Sequence, residues 1–299
     1  MWLLRPDYDA HILHIKPAET RPELWRTVVA LVAMTVMYIL LSLFYQQAIF
    51  NLFAGASALT DTIEDGTSPL AVFVILFNFA LISLSVALVV KMMHARGTST
   101  LFGPAQLALS QFMRVTGALL VFMAAVAVLP PWGMGGILVP NLGVVLWLVL
   151  LPLGLVAVFV QISAEELLFR GYLQQQMAVR FRSPLIWMGV PSFLFAIGHY
   201  QPGAAGENAV LLVVWAGIFG LLMADLTARS GSLGPALAIH FINNVFALLV
   251  TSLPDTLGGL ALYHTPFGLD DAEALRAWLP VDFVSILCMW LVARLALRR

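Results

Sequence analysis

The stretch Val115–Ala164, VTGALLVFMAAVAVLPPWGMGGILVPNLGVVLWLVLLPLGLVAVFVQISA, runs 50 residues without an Asp, Glu, Lys or Arg. A bilayer core is roughly 30 Å thick and a spanning helix needs about 20 mostly apolar residues. As one helix the stretch would be about 75 Å long, far more than a membrane accommodates. It divides at Pro130-Pro131-Trp132-Gly133 and the glycines that follow, where proline removes a backbone donor and glycine favours a turn. Two spans are therefore expected, near 115–129 and 142–164. Reading outward, further apolar runs suggest spans beginning at Thr27 and covering 69–90, 184–199, 208–226, 233–251 and 278–297. The last is the weakest, because Asp282 sits near its start and Arg294 near its end. The expected fold is an all-α, polytopic membrane bundle of about eight transmembrane helices. Residues 1–26 form an N-terminal tail and 27–299 a single transmembrane domain.

Composition agrees. Hydrophobic residues make up 61% of the 299 and charged residues only 10%, against about 25% in a soluble domain. That excludes a water-soluble enzyme and a disordered or fibrous chain. The formal net charge of −1 gives no basic surface for nucleic acid. A single cysteine, Cys288, excludes a disulfide framework and a cysteine zinc finger.

An even number of spans puts both ends on one side, and basic loop residues set which side. Fourteen of the fifteen Lys and Arg fall in the N-terminal tail, after the second, fourth and sixth spans, or at the C-terminus; the alternate loops hold only Arg276. The expected orientation is N-in and C-in, which makes 1–26 cytoplasmic. The tail has no signal-peptide pattern. It is expected either to lie on the membrane through Trp2, Leu3, Leu4 and Trp25 or, preferably, to be a solvated lead-in.

Ionisable groups at membrane depth are costly and face a bundle interior or a water cavity. Three clusters qualify. In Ser163-Ala164-Glu165-Glu166-Leu167-Leu168-Phe169-Arg170-Gly171-Tyr172 the two acids project about 100° apart on a helix. Arg170, four residues after Glu166, can pair with it, leaving Glu165 for other work. The plainer reading is a solvated helix end. The second cluster is Phe195-Ala196-Ile197-Gly198-His199, where a lone histidine is ordinarily an interface residue. The third is His240-Phe241-Ile242-Asn243-Asn244, whose His240 and Asn244 share a face. Such polar groups also serve as interhelical hydrogen-bond glue. At about 1.5 Å per residue, Glu165, His240, Asn244 and His199 lie at depths of about 12 to 24 Å, so one cavity could collect them. A carboxylate, two imidazoles and an amide make a hydrolytic set.

Glu165-Glu166-x-x-x-Arg170, Phe195-x-x-x-His199 and His240-x-x-x-Asn244 together resemble the three motifs of the CPBP (Abi) intramembrane protease family. That family includes the type II CAAX prenyl proteases and relatives of the lysostaphin-resistance protein. Phe169-Arg170-Gly171-Tyr172-Leu173 and Gly231-Ser232-Leu233 fit as well, and the likeness covers 140–250. It implies a glutamate-dependent intramembrane endopeptidase acting on a membrane-associated peptide or protein. Carried over by motif, Glu165 would activate water with help from His199, and His240 and Asn244 would stabilise the oxyanion. Glu166 and Arg170 would hold the base in place. Asn243, adjacent to Asn244, leaves the amide donor open by one residue. No cofactor is expected, and Asp225 is expected to pair with Arg229 at the inner end of the sixth span. The rival readings are zinc held by Glu165, His199 and His240, a proton relay in a transporter, and a non-catalytic scaffold or bacteriocin-immunity protein. The expected location is a bacterial cytoplasmic membrane.

Overall fold

The computed structural model describes residues 7–53, 65–129, 137–269 and 271–298. A short helix α1 (His11–Ile15) precedes α2 (Leu24–Leu52), α3 (Pro69–His94), α4 (Ala105–Val128), α5 (Val144–Arg180), α6 (Pro184–Ile197), α7 (Pro202–Ser230), α8 (Gly234–Val250) and α9 (Ala272–Leu297). The protein is therefore an all-α, multi-pass bundle. Six of these helices are long and apolar enough to cross a membrane, by length and composition, while α6 and α8 are shorter. These two correspond to the runs expected near 184–199 and 233–251. A chain segment at membrane depth can be short where protein covers its ends. α8 is so covered: it packs against α4, α5, α7 and α9, and Gly234–His240 is buried throughout.

The burial pattern is that of a protein in an apolar solvent. Phe44, Val145 and Leu185 are among many exposed large apolar side chains, whereas Arg170, Gln174, Gln175, Gln176 and Arg294 are fully buried. Helix ends carry local signals. Ser68 accepts from the Ala71 amide just before Pro69 at the start of α3, and Asp271 accepts from the Ala274 amide at the start of α9. Both are N-caps that satisfy an orphan donor. The expected break at Pro130–Gly133, most of the turn at 61–65 and the residues Trp2, Leu3 and Leu4 lie outside the described residues. Beside the helices are three two-residue strands, Val139–Pro140, Thr251–Ser252 and Tyr263–His264. Tyr263–His264 is central, antiparallel to the first and parallel to the second.

The described part of the tail, from Asp7 on, is docked on the bundle rather than a solvated lead-in. His11 and His14 are buried. Tyr8 Oη donates to Asp225 Oδ1 at 2.9 Å, His14 Nε2 donates to the Leu101 carbonyl at 2.9 Å, and Gln175 Nε2 donates to the His14 carbonyl at 2.9 Å. Gly231 ends α7 with φ +74°, and a Cβ there would collide with the carbonyl of Ala10. Glycine is thus needed both for the left-handed turn and for the approach of the tail.

Candidate active site

The site grows from the C-terminal half of α5. This helix winds as α through Glu166 and then widens to π-type turns over Leu167–Gln174. α8 does the same after its own motif, over Phe246–Val250. Such widened turns are rare and cluster at functional sites. α5 and α8, which carry the first and third motifs, each contain one within a few residues of those side chains.

The two adjacent acids have different partners. Glu166 is fully buried, and its Oε1 takes both the Arg170 guanidinium at 3.0 Å and His240 Nδ1 at 2.8 Å. The Arg170 guanidinium also lies over the Phe195 ring, 4.5 Å from its centroid. Phe195 is therefore the platform that joins the first two motifs. The expected i,i+4 pair of Glu166 with Arg170 is present.

Glu165 faces elsewhere. Its Oε1 accepts from Gln161 Nε2 at 2.6 Å. Its Oε2 lies 3.5 Å from His240 Nε2 and receives no hydrogen bond from the described residues. Gln161 Oε1 in turn accepts from Asn244 Nδ2 at 2.8 Å, and Asn244 Oδ1 accepts from Asn243 Nδ2 at 3.0 Å. One polar chain thus runs Asn243–Asn244–Gln161–Glu165, with His240 bridging on to Glu166 and Arg170. A carboxylate only accepts, so His240 Nδ1 carries a proton toward Glu166.

His199 lies just past α6. Its Nδ1 donates to the Phe195 carbonyl at 2.8 Å, which leaves Nε2 as the nitrogen with a free lone pair. It shares with Gln161, Glu165 and Asn244 the wall of a cavity of about 620 Å³. The rest of that wall is mainly apolar; α2 and α3 give much of it, including Met34, Tyr38, Leu76 and Phe79, and α5, α6 and α8 add Leu168, Phe195 and Leu248.

All six sequence-selected residues therefore belong to one neighbourhood. Gln161 was not among them, although the signal was available. It is a polar residue in the apolar run of α5, one turn before Glu165 and on its face. Asp225 and Arg229 pair as expected, with Arg229 Nε 2.8 Å from both carboxylate oxygens. The pair is buried rather than interfacial, and Asp225 also accepts from Trp290 Nε1 at 3.0 Å.

Residues 146–246 match the family model described as Type II CAAX prenyl endopeptidase Rce1-like. The matched segment holds Gln161, both glutamates, Arg170, His199, His240 and Asn244. A Bacillus subtilis (strain 168) protein, "Uncharacterized protein YyaK", is 33% identical over 121 residues, 39% of this chain and 39% of that protein. The chain thus covers about two fifths of the relative's length. No solved structure matches.

Proposed function

We propose that this chain is an intramembrane endopeptidase in which Glu165 activates water against a peptide carbonyl. The carrying observation is the division of labour at the two glutamates. Glu166 is fully buried, paired with Arg170 and His240, and absent from the cavity wall, whereas Glu165 lines the cavity and keeps Oε2 without a protein donor among the described residues. That oxygen takes a proton from water as the hydroxide adds to the carbonyl carbon. His199, with its Nε2 lone pair on the same cavity wall, accepts hydrogen bonds from that water. The carbonyl oxygen gains negative charge. Asn244 has a second amide hydrogen besides the one given to Gln161, and it serves as an oxyanion donor. His240 donates through Nε2 when its ring is the imidazolium, a charge that Glu166 offsets from the other side. The proton on Glu165 then passes to the departing amine, and the peptide bond breaks into a carboxylate and an ammonium.

The apolar wall of the cavity suits the apolar part of a membrane-associated peptide or protein. The N-in orientation and the bacterial cytoplasmic membrane belong to this proposal. The zinc alternative asks for about three protein ligands on one ion. Among the described residues no three His, Cys, Asp or Glu side chains are grouped to hold a metal.

The test is cleavage of a peptide library, lipidated and unlipidated, by protein in proteoliposomes. Expected is cleavage by wild type and none by a folded Glu165→Gln variant; a Glu165→Ala variant in membranes should retain the substrate. Equal cleavage by wild type and Glu165→Gln would move the base elsewhere, Glu166 first.

A further inference from the structure

Asp282, in the apolar helix α9, is an acidic residue that the hydrolytic site does not use, and Asn243 reaches that site only through Asn244. Both line a second cavity, of about 510 Å³, on the other flank of α8. The two cavities share Ala247, Leu248 and Leu257 as a dividing wall. Asn243 faces the second and hydrogen-bonds across the helix to Asn244, which faces the first.

Among the described residues Asp282 is the only ionisable side chain on the wall of the second cavity, and it makes no ion pair with another of them. Asp282 is half-buried, and a carboxylate withdrawn even partly from water is costly without a compensating charge. Its one protein partner is the Trp278 side chain, which hydrogen-bonds to it. The walls beside it are aromatic: Phe122, Phe246, Phe267 and Trp278. Ring faces attract a cation. Thr256, Ser285 and Asn243 add neutral oxygens, which suit the several hydrogens of a primary ammonium and would be wasted on a quaternary one.

We propose that the second cavity is a binding site for a primary ammonium on an apolar body, with the Asp282 carboxylate as counter-ion. Either an arylalkyl amine or the amino terminus of a short apolar peptide carries that chemistry. The site stands on its own residues and does not require the protease reading.

The test uses the full chain in nanodiscs and ligand-observed NMR titration with four probes: phenethylamine, its neutral analogue 2-phenylethanol, Leu-Phe-amide and N-acetyl-Leu-Phe-amide. Phenethylamine should bind at least tenfold tighter than the alcohol, and the free peptide tenfold tighter than its acetylated form if the peptide is the natural source. Asp282→Asn should bring the amine-to-alcohol ratio close to one, and Asp282→Glu should keep it high. Glu165→Gln should leave the ratio unchanged, because that carboxylate lies in the other cavity. Equal wild-type affinity for amine and alcohol overturns the proposal without any variant. So does a preference that survives Asp282→Asn or vanishes with Glu165→Gln.

Discussion

Gln161 Nε2 holds Glu165 Oε1 at 2.6 Å, one helical turn away on the same face of α5. The amide fixes which carboxylate oxygen is occupied and so which is left for chemistry. Its other end is held by Asn244, so the helix carrying the base and the helix carrying the amide are registered to each other through one side chain. Truncating Gln161 would free Glu165 to rotate and would leave Asn244 without its acceptor.

The first prediction follows. Gln161→Leu keeps the apolar packing of α5 and removes both bonds. A hydrogen bond to a charged group is worth about 1.5–3 kcal/mol, or roughly 10- to 150-fold in rate if it acts on the transition state. The expected result is a loss of kcat in that range with a near-normal melting temperature. Unchanged kcat in a folded variant would reduce Gln161 to a packing residue.

The second concerns Glu166 and Arg170, both fully buried side chains. Arg170→Met leaves the Glu166 carboxylate beside His240 alone, and breaking such a pair costs about 3–5 kcal/mol. The double variant Glu166→Leu with Arg170→Met removes the stranded charge. It should recover most of the thermal stability yet remain inactive, because His240 Nδ1 has lost its acceptor. Recovery of cleavage along with stability would remove Glu166 from the mechanism.

Much of this was legible in sequence because the signal is local. Charge-free runs mark the helices, and four-residue spacings mark the motif pairs Glu166–Arg170 and His240–Asn244. What was not legible depends on distance in space. The carboxylate that His240 touches, Gln161 as the link to Asn244, and the docking of Tyr8 on Asp225, 217 residues away, have no spacing rule. The bounds of α6 and α8 fall within two residues of the runs expected at 184–199 and 233–251, although an apolar run reads alike whether lipid or protein surrounds it. The two-residue strands are too brief for an alternation to register.

The docked tail yields a pH prediction. Burial holds the imidazoles of His11 and His14 well below 6.5, to about 3 and about 4. The His14–Leu101 bond opposes the shift in His14, and His14 adds to it in His11. The unfolded chain therefore binds protons that the folded tail does not. Their contribution to stability is complete above about pH 6.5 and is lost as pH falls toward 4. Melting temperature, or resistance of the tail to protease, should drop between pH 7 and pH 5. His11→Phe with His14→Gln keeps the ring contact and the donor to Leu101, and it should flatten that drop. A drop of the same size in the double variant would assign it to other groups.

The last prediction concerns metal. Glu165 Oε2 and His240 Nε2 face each other at 3.5 Å, a gap that an ion could in principle bridge with two ligands. A catalytic zinc takes about three protein ligands, and its histidines are oriented by a partner on the second nitrogen. His240 has such a partner in Glu166 and His199 in the Phe195 carbonyl, but among the described residues no three such side chains are grouped to hold an ion, and Asn244 is a poor zinc ligand already committed to Gln161. The purified protein should therefore contain well under one zinc per chain by elemental analysis. Cleavage should survive EDTA and phenanthroline, and Glu165→Gln should leave the metal content unchanged. One zinc per chain, lost in Glu165→Gln or His240→Ala, with activity removed by chelation and restored by zinc, would make those residues ligands and Glu166 the candidate base.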